Sequence, residues 1–238
     1  PPTVFEGRFG FYNAFLDAQY DSQAVTEGLG NKWLSEDIFY KPYPANHYTH
    51  AGIDAALALK KENNLNIDNI FEIKLFCPED VLRTIAEPRE AKINPESGYH
   101  AKFSGPFTVA TALLGGGGLG VSFDDFTDAK VADKSILDLA SKVHVFADKE
   151  CNEIFPYQFP AKLVITMQDG TILTKKILVN RGGPKNPLSN DELRHKFTIN
   201  ATKYLSELEA ENLALAIMNL DESPNVDDLL AMTVPANN

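Results

Sequence analysis

The chain has 238 residues, of which 44% are hydrophobic and 23% charged, and its formal net charge is −11. This length and balance are typical of an ordinary globular protein with one large domain or two modest ones, and exclude a disordered chain. The acidic charge argues against partners such as nucleic acid or an anionic membrane, since both require a basic surface.

The first quarter of the chain is predicted to be mainly helical. Residues 11–20 carry a short helical stripe of apolar side chains, and residues 51–62 form a second helical pattern without a breaker. Between them, the apolar and aromatic residues of 33–40 predict a short buried strand.

The segment from Lys41 to His50, with the sequence KPYPANHYTH, stands out chemically. It places a lysine, two histidines, two tyrosines and a threonine just ahead of the second helix. Its two prolines predict a stiff, extended loop. Because the free N–H groups at a helix N-terminus favour negative charge, this loop is a candidate anion-binding site. The alternative is a surface loop whose aromatic residues pack on the core.

The middle of the chain is predicted to be mixed α/β, and its pattern favours antiparallel pairing over a wound parallel sheet. Asp169-Gly170 between two β-branched runs is a strong local signal for a hairpin. Pro106 suits the first turn of a buried helix. The predicted strands are 67–76, 143–146, 161–167 and 171–179, the predicted helices are 103–114 and 136–142, and 86–98 is predicted to be loop.

The helical period returns near the C-terminus. Ser189 with Glu192 fits a capping box, as does Ser206 with Glu209. The first of these helices is predicted to bury Leu193, Phe197, Ala201 and Leu205, the second continues to Leu213, Ile217 and Leu220, and Asn225 caps a last turn. The predicted fold class is α+β: a helical domain from residues 1–64 and 185–238, with an α+β domain of antiparallel sheet and helices inserted at 65–184.

Several other motifs are candidates for a functional site. Gly115–Gly120 contains G-x-G-x-x-G, but a helical pattern precedes it where a dinucleotide site needs a strand, so it predicts a helix-terminating loop. His100, Lys102 and Ser104 offer a base, a cation and a hydroxyl; the alternative is a polar loop with a capping serine. Asp124, Asp125 and Asp128 lack calcium-loop spacing and predict a solvated helix start. His144 and His195 are interpreted as structural or surface residues, and no G-x-S-x-G nucleophile motif occurs.

The cellular setting is predicted from what the sequence contains. Cys77 and Cys151 lie far apart and in no metal or redox spacing, which suits a reducing cytoplasm. We found neither an apolar run long enough to span a membrane nor a signal-peptide pattern. We therefore expect a cytoplasmic protein. Because the sequence begins Pro1-Pro2, we expect it to be processed or to be part of a longer protein.

Three motifs together resemble the MmgE/PrpD family. They are Lys41-Pro42-Tyr43-Pro44 through Tyr48-Thr49-His50 and Ile53-Asp54-Ala55-Ala56; Lys102-Phe103-Ser104-x-Pro106-Phe107; and Gly183-Pro184-x-Asn186-Pro187-Leu188-Ser189 through Glu192-Leu193 and Lys196-Phe197. The opening Phe5-Glu6-Gly7-Arg8-x-Gly10-Phe11 is similar too. The resemblance covers nearly the whole chain but only the second half of the family's length, so it implies an active site that lacks an N-terminal helical part.

The resemblance implies chemistry on small polycarboxylates. Members include 2-methylcitrate dehydratases of propionate metabolism, a cis-aconitate decarboxylase and an iminodisuccinate epimerase, generally homodimers without a metal or organic cofactor. The expectation for this chain is a cofactor-independent lyase of the 2-methylcitrate dehydratase type. The alternatives are a polycarboxylate isomerase or epimerase, and a non-catalytic fragment.

The same resemblance implies roles for individual residues. Lys41, His47 and His50 are the candidate catalytic residues, with Lys41 binding a substrate carboxylate and a histidine acting as acid or base. Lys102, Ser104 and Asn46 are the candidate substrate-binding residues, which implies a site between the two domains. Asn46 stands where the decarboxylase has a histidine, and Phe107 where many members have a tyrosine, which argues against decarboxylation.

Overall fold

The computed structural model describes residues 2–17 and 19–234. It contains two compact units, one ending at Ile38 and the other beginning at Phe39. The α-helices of the described residues are α1 Phe11–Leu16, α2 His50–Asn63, α3 Leu82–Ile85, α4 Arg89–Ile93, α5 Gly98–Ala101, α6 Gly105–Leu114, α7 Asp128–Val131, α8 Lys134–Ser141, α9 Lys149–Ile154, α10 Asn190–Ala201, α11 Glu207–Met218 and α12 Asp227–Ala231. The strands are β1 Ile70–Cys77, β2 Val143–Ala147, β3 Ala161–Met167 and β4 Ile172–Ile177. The predicted α+β class is confirmed.

The first unit contains α1 and a single 3₁₀ turn, Leu34–Asp37, within its described residues. The helix predicted over 11–20 is confirmed for its first part and ends at Leu16, followed by Asp17 with a φ of +50°. Ala18 lies outside the described residues. The buried strand predicted over 33–40 is wrong, since the turn occupies its centre and Trp33 is 68% exposed. Glu36 and Asp37 favour the first turn of a helix, where acidic side chains complement the dipole.

The second unit is built on a mixed four-stranded sheet in the order β2-β1-β3-β4. The β1–β3 and β3–β4 pairs are antiparallel, as predicted, whereas β1 and β2 are parallel. The parallel pair arises because β2 is reached through a long helical crossover, α3 to α8, rather than through a hairpin. The hairpin predicted at Asp169-Gly170 is confirmed, and Gly170 has a φ of +86°.

One face of the sheet carries the main core. Side chains of β1 alternate, with Ile73 and Leu75 buried in a core that also contains residues of α2, α6 and α8. The predicted buried helix is confirmed as α6, which Ser104 caps and which ends at Gly115, with a φ of +102°. Gly115 thus ends the helix, as predicted for the glycine run. The predicted loop 86–98 contains α4, which begins directly after Pro88.

The C-terminal helices form as predicted, but their burial differs. Both capping boxes are confirmed, and Asn225 Oδ1 accepts a hydrogen bond of 2.9 Å from the Asp227 N–H. The full burial predicted for Leu193, Phe197, Ala201 and Leu205 is wrong, because all four are only partly buried. In α11, Leu213 is buried but Ile217, like the following Leu220, is exposed. The two helices pack on each other, and much of their apolar surface stays uncovered within the described chain.

The division of the chain into domains at residues 1–64, 65–184 and 185–238 stays a prediction. In the structure, helix α2 packs on β3, β4 and α6.

Among the described residues, no helix is both long and apolar enough to cross a membrane.

Candidate functional site

The Lys41–His50 segment begins irregular, makes a 3₁₀ turn at His47–Thr49 and enters α2. Asn46 shapes this turn, because its Oδ1 accepts a hydrogen bond of 3.0 Å from the Tyr48 N–H. The Asn46 N–H donates to the Lys102 carbonyl over 2.8 Å. Asn46 therefore caps the turn and ties it to the segment before α6; contact between its side chain and substrate stays a prediction.

Lys41 lies at the edge of a cavity of about 220 Å³. Its Nζ donates to the Ala45 carbonyl over 3.1 Å, which folds the side chain back over its own loop. A second lysine, Lys196 of α10, lines the same cavity. The remaining lining residues are Pro42, Tyr43, Pro44, Val121, Ser122, Phe123, Ile199 and Asn200. A small cavity lined by two lysines suits a small anion.

His47 lies outside the lining of that cavity and is half-buried. Its Nε2 is 3.0 Å from the Nδ2 of Asn180, and its ring lies edge-on to those of Phe39 and Phe159. Burial, aided by the nearby charge of Lys41, lowers the pKa of His47 to about 4. His47 is therefore neutral at physiological pH.

His50 is fully buried at the start of α2. Its Nε2 lies 3.3 Å from the Ala45 carbonyl, which can only accept, so Nε2 carries the proton. Burial first, and then the neighbouring His47, lower the pKa of His50 to about 3. With no exposed surface, His50 cannot touch a substrate in this conformation, and its catalytic role stays a prediction.

A buried polar network stands behind the loop. The Tyr43 hydroxyl donates to Asp54 Oδ1 over 2.6 Å and accepts from the Arg181 guanidinium over 2.7 Å. Arg181 also binds Glu192 of α10 over 2.9 Å, and its Nε lies 3.4 Å from Asp54 Oδ1. Burial raises the pKa of Asp54 despite the bond from Tyr43 and the charge of Arg181. This Tyr43–Asp54–Arg181–Glu192 network links the loop, α2 and α10.

The other two predicted binding residues, Lys102 and Ser104, lie near the loop, but their side chains contact other groups of the protein. Lys102 Nζ lies over the rings of Phe123 and Phe126, at 5.2 and 5.8 Å from their centroids. Ser104 is fully buried, donates to the Lys92 carbonyl and accepts from the Phe107 N–H. Ser104 thus caps α6, which is the alternative role that the sequence offers for it. Substrate binding by Lys102 and Ser104 stays a prediction.

Sequence reasoning gave no role to Lys196, Asn180 or Arg181, which the fold brings to the loop. Lys196 and Asp54 each lie within a family-like motif, so a signal existed for both. Asn180 and Arg181 are 133 and 138 residues away from their partners in the loop, and no local pattern connects them. Among the described residues, no group of three or more acidic, histidine or cysteine side chains is arranged to hold a metal ion.

Comparison with known proteins adds family membership to this geometry. Residues 43–222 match the model of the MmgE/PrpD C-terminal domain. The chain is 25% identical to human (Homo sapiens) cis-aconitate decarboxylase and 27% identical to the mouse (Mus musculus) protein, over 89% of this chain and 43% and 42% of theirs. It is 22% identical to the cis-aconitate decarboxylase-like protein oryM of Aspergillus oryzae, over 96% of this chain and 48% of that protein. The chain thus spans less than half the length of these curated relatives. Since the family model covers most of the chain, the protein belongs to the MmgE/PrpD family.

Proposed function

We propose that this chain contributes the polycarboxylate-binding part of a lyase, with Lys41 and Lys196 holding the carboxylates of the substrate. The observation that carries the proposal is the pair of lysines on one small cavity in a chain of net charge −11. An acidic protein repels an anionic substrate, so local positive charge is needed to admit one.

In the proposed chemistry, a base from the remainder of the full-length enzyme takes a proton from a carbon next to a carboxylate, and in a dehydration the hydroxyl group on the adjacent carbon takes up a proton and leaves as water. The enolate-like charge that develops on the substrate is stabilised by the Lys41 ammonium. His47 of the same loop contributes to this reaction. In this proposal the reaction needs no metal or organic cofactor. The active form is a cytoplasmic homodimer. In each subunit, the helical segments of residues 1–64 and 185–238 form one domain.

The identity of the substrate is the more specific part of the proposal. We retain the 2-methylcitrate dehydratase type of reaction, with cis-aconitate as the second candidate because the curated relatives carry the name cis-aconitate decarboxylase. Asn46 and Phe107 argue against decarboxylation, since neither can titrate where relatives have a histidine or a phenol. Phe107 is fully buried in α6, so it supplies only packing.

A second candidate function is a non-catalytic or incomplete fragment, including one that needs another polypeptide. The observation that favours it is the span of less than half of each curated relative. An epimerase or isomerase on a polycarboxylate uses the same proton abstraction and is distinguished only by its product.

The test is to incubate the full-length protein with 2-methylcitrate, cis-aconitate or iminodisuccinate in D₂O. Products and deuterium incorporation are followed by NMR. Loss of water from 2-methylcitrate supports the dehydratase, and deuterium exchange without elimination supports an epimerase. Absence of turnover and of exchange with all three compounds would overturn the lyase proposal.

A further inference from the structure

Asn180 occupies an unusual position for a polar side chain, because it is fully buried and contacts the only partly buried His47. It lies in the segment that follows β4, and its amide makes two hydrogen bonds of different direction. The Phe159 N–H donates to Oδ1 over 3.1 Å. On the other side, Nδ2 lies 3.0 Å from His47 Nε2.

These two contacts determine which nitrogen of His47 carries the proton. A backbone N–H can only donate, so the Asn180 atom facing Phe159 is the oxygen, and the atom facing His47 is the NH₂ group. An NH₂ group of an amide can only donate, so His47 Nε2 accepts. An accepting Nε2 is unprotonated, which leaves the proton of the neutral ring on Nδ1.

We infer that Asn180 is a positioning residue that fixes His47 as the Nδ1–H tautomer, so that His47 offers substrate a neutral hydrogen-bond donor rather than a proton-abstracting base. The Nδ1 atom makes no hydrogen bond to any residue in the described part of the chain. A neutral imidazole N–H stabilises developing enolate charge by hydrogen bonding, without having to transfer its proton.

The surroundings of His47 favour the neutral ring. Lys41 of the same loop carries a positive charge, which disfavours a second one on His47. The ring of His50, at the start of α2, lies 4.8 Å from that of His47. From the segments before β3 and after β4 it meets the uncharged Phe159 and Asn180. The burial that lowers its pKa to about 4 acts in the same direction.

The assignment of a role toward substrate rests on the proposed function, whereas the tautomer does not. The tautomer is measured on the chain alone, without substrate, by long-range ¹H–¹⁵N correlation NMR. The chain has five histidines, so the His47 signals are identified by their loss in His47→Gln. We expect a protonated Nδ1 and an unprotonated, pyridine-like Nε2 at neutral pH.

The variant Asn180→Asp tests whether Asn180 sets the tautomer of His47 or only stabilises the fold. The carboxylate still accepts from Phe159, but its second oxygen cannot donate, so His47 should switch to Nε2–H, and its pKa should rise beside the new charge. The control is Asn152→Asp, an exposed site where the same change preserves the bond of 2.7 Å accepted from the Glu79 N–H. It should leave the His47 signals unchanged.

Two results would overturn the inference: a wild-type His47 protonated on Nε2, or a folded Asn180→Asp variant whose His47 signals match those of wild type. The wild-type spectrum remains decisive if the Asn180→Asp variant does not fold. Failure of the lyase proposal is seen separately, in the turnover assay, and leaves the tautomer result intact.

Discussion

At the scale of single residues, Lys41 and His47 belong to one short loop but face different surroundings. Lys41 borders the cavity shared with Lys196, while His47 faces Asn180 and two phenylalanine rings. The loop itself could be predicted, because proline stiffness and the following helix pattern are local properties. Its partners could not, because Lys196 and Asn180 come from distant parts of the chain and only packing brings them close.

Lys196 provides the first prediction. Lys196→Ala in the full-length protein should raise KM about tenfold or more with little change in kcat, since a charge-assisted hydrogen bond of about 1.5–3 kcal/mol is lost equally from substrate and transition state. Steady-state kinetics on the turned-over polycarboxylate measures this. Lys185→Ala, which removes an exposed lysine elsewhere in the chain, is the matched control. An unchanged KM in Lys196→Ala would remove this residue from the site.

At the scale of elements, the segment after β4 holds the loop at three consecutive residues. Asn180 bonds His47, Arg181 bonds Tyr43, and the Gly182 carbonyl accepts from the Tyr40 N–H over 2.8 Å. Gly182 has a φ of +104°, and a Cβ there would lie 2.0 Å from the Tyr40 carbonyl oxygen. Glycine is required here for two reasons: the backbone is left-handed, and there is no space for a Cβ atom beside Tyr40.

Gly182→Ala and Gly170→Ala form a matched pair that separates these two causes. Gly170 has a similar φ of +86°, but a Cβ there would meet nothing within 4 Å. Gly170→Ala should therefore cost about 1–2 kcal/mol of unfolding free energy, from the left-handed backbone alone. Gly182→Ala should cost clearly more and should shift the NMR signals of the Lys41–His50 loop. Equal costs in urea unfolding, with unshifted loop signals, would show that the contact with Tyr40 is unimportant.

Elements were predicted well where their signals are local. The two capping boxes, the proline-entered α6 and the Asp169-Gly170 hairpin each depend on residues a few positions apart. The parallel β1–β2 pair was missed because it forms across a long crossover. The burial of α10 was overestimated because periodicity indicates an apolar face without saying whether anything in the chain covers it.

At the scale of the whole molecule, the acid sensitivity of folding should reflect the buried histidines. The ordinary histidine pKa is 6.5, but in the folded chain it is about 4 for His47 and about 3 for His50. Between these values the unfolded state binds more protons, so the free energy of unfolding should fall as pH falls from 6.5 to about 4. The raised pKa of Asp54 acts in the opposite direction, because a carboxyl with a raised pKa binds its proton more readily in the folded chain than in the unfolded one.

Urea unfolding across this pH range measures the effect. His47→Gln removes one titrating group while keeping an amide oxygen that can accept from Asn180. Its free energy of unfolding should fall less steeply between pH 6.5 and about 4 than that of wild type. Parallel curves for the two proteins would mean that His47 titrates alike in the folded and unfolded chains.

The central claim is that Lys41 holds a substrate carboxylate in a polycarboxylate lyase, and turnover by Lys41→Ala in the full-length protein tests it most directly. Removing a charge that stabilises the transition state should lower kcat by about 10²-fold or more. The lost bond to the Ala45 carbonyl should cost only about 1 kcal/mol of stability. Lys149→Ala, at a highly exposed lysine of α9, should keep full activity. Wild-type turnover by a folded Lys41→Ala variant would contradict the claim.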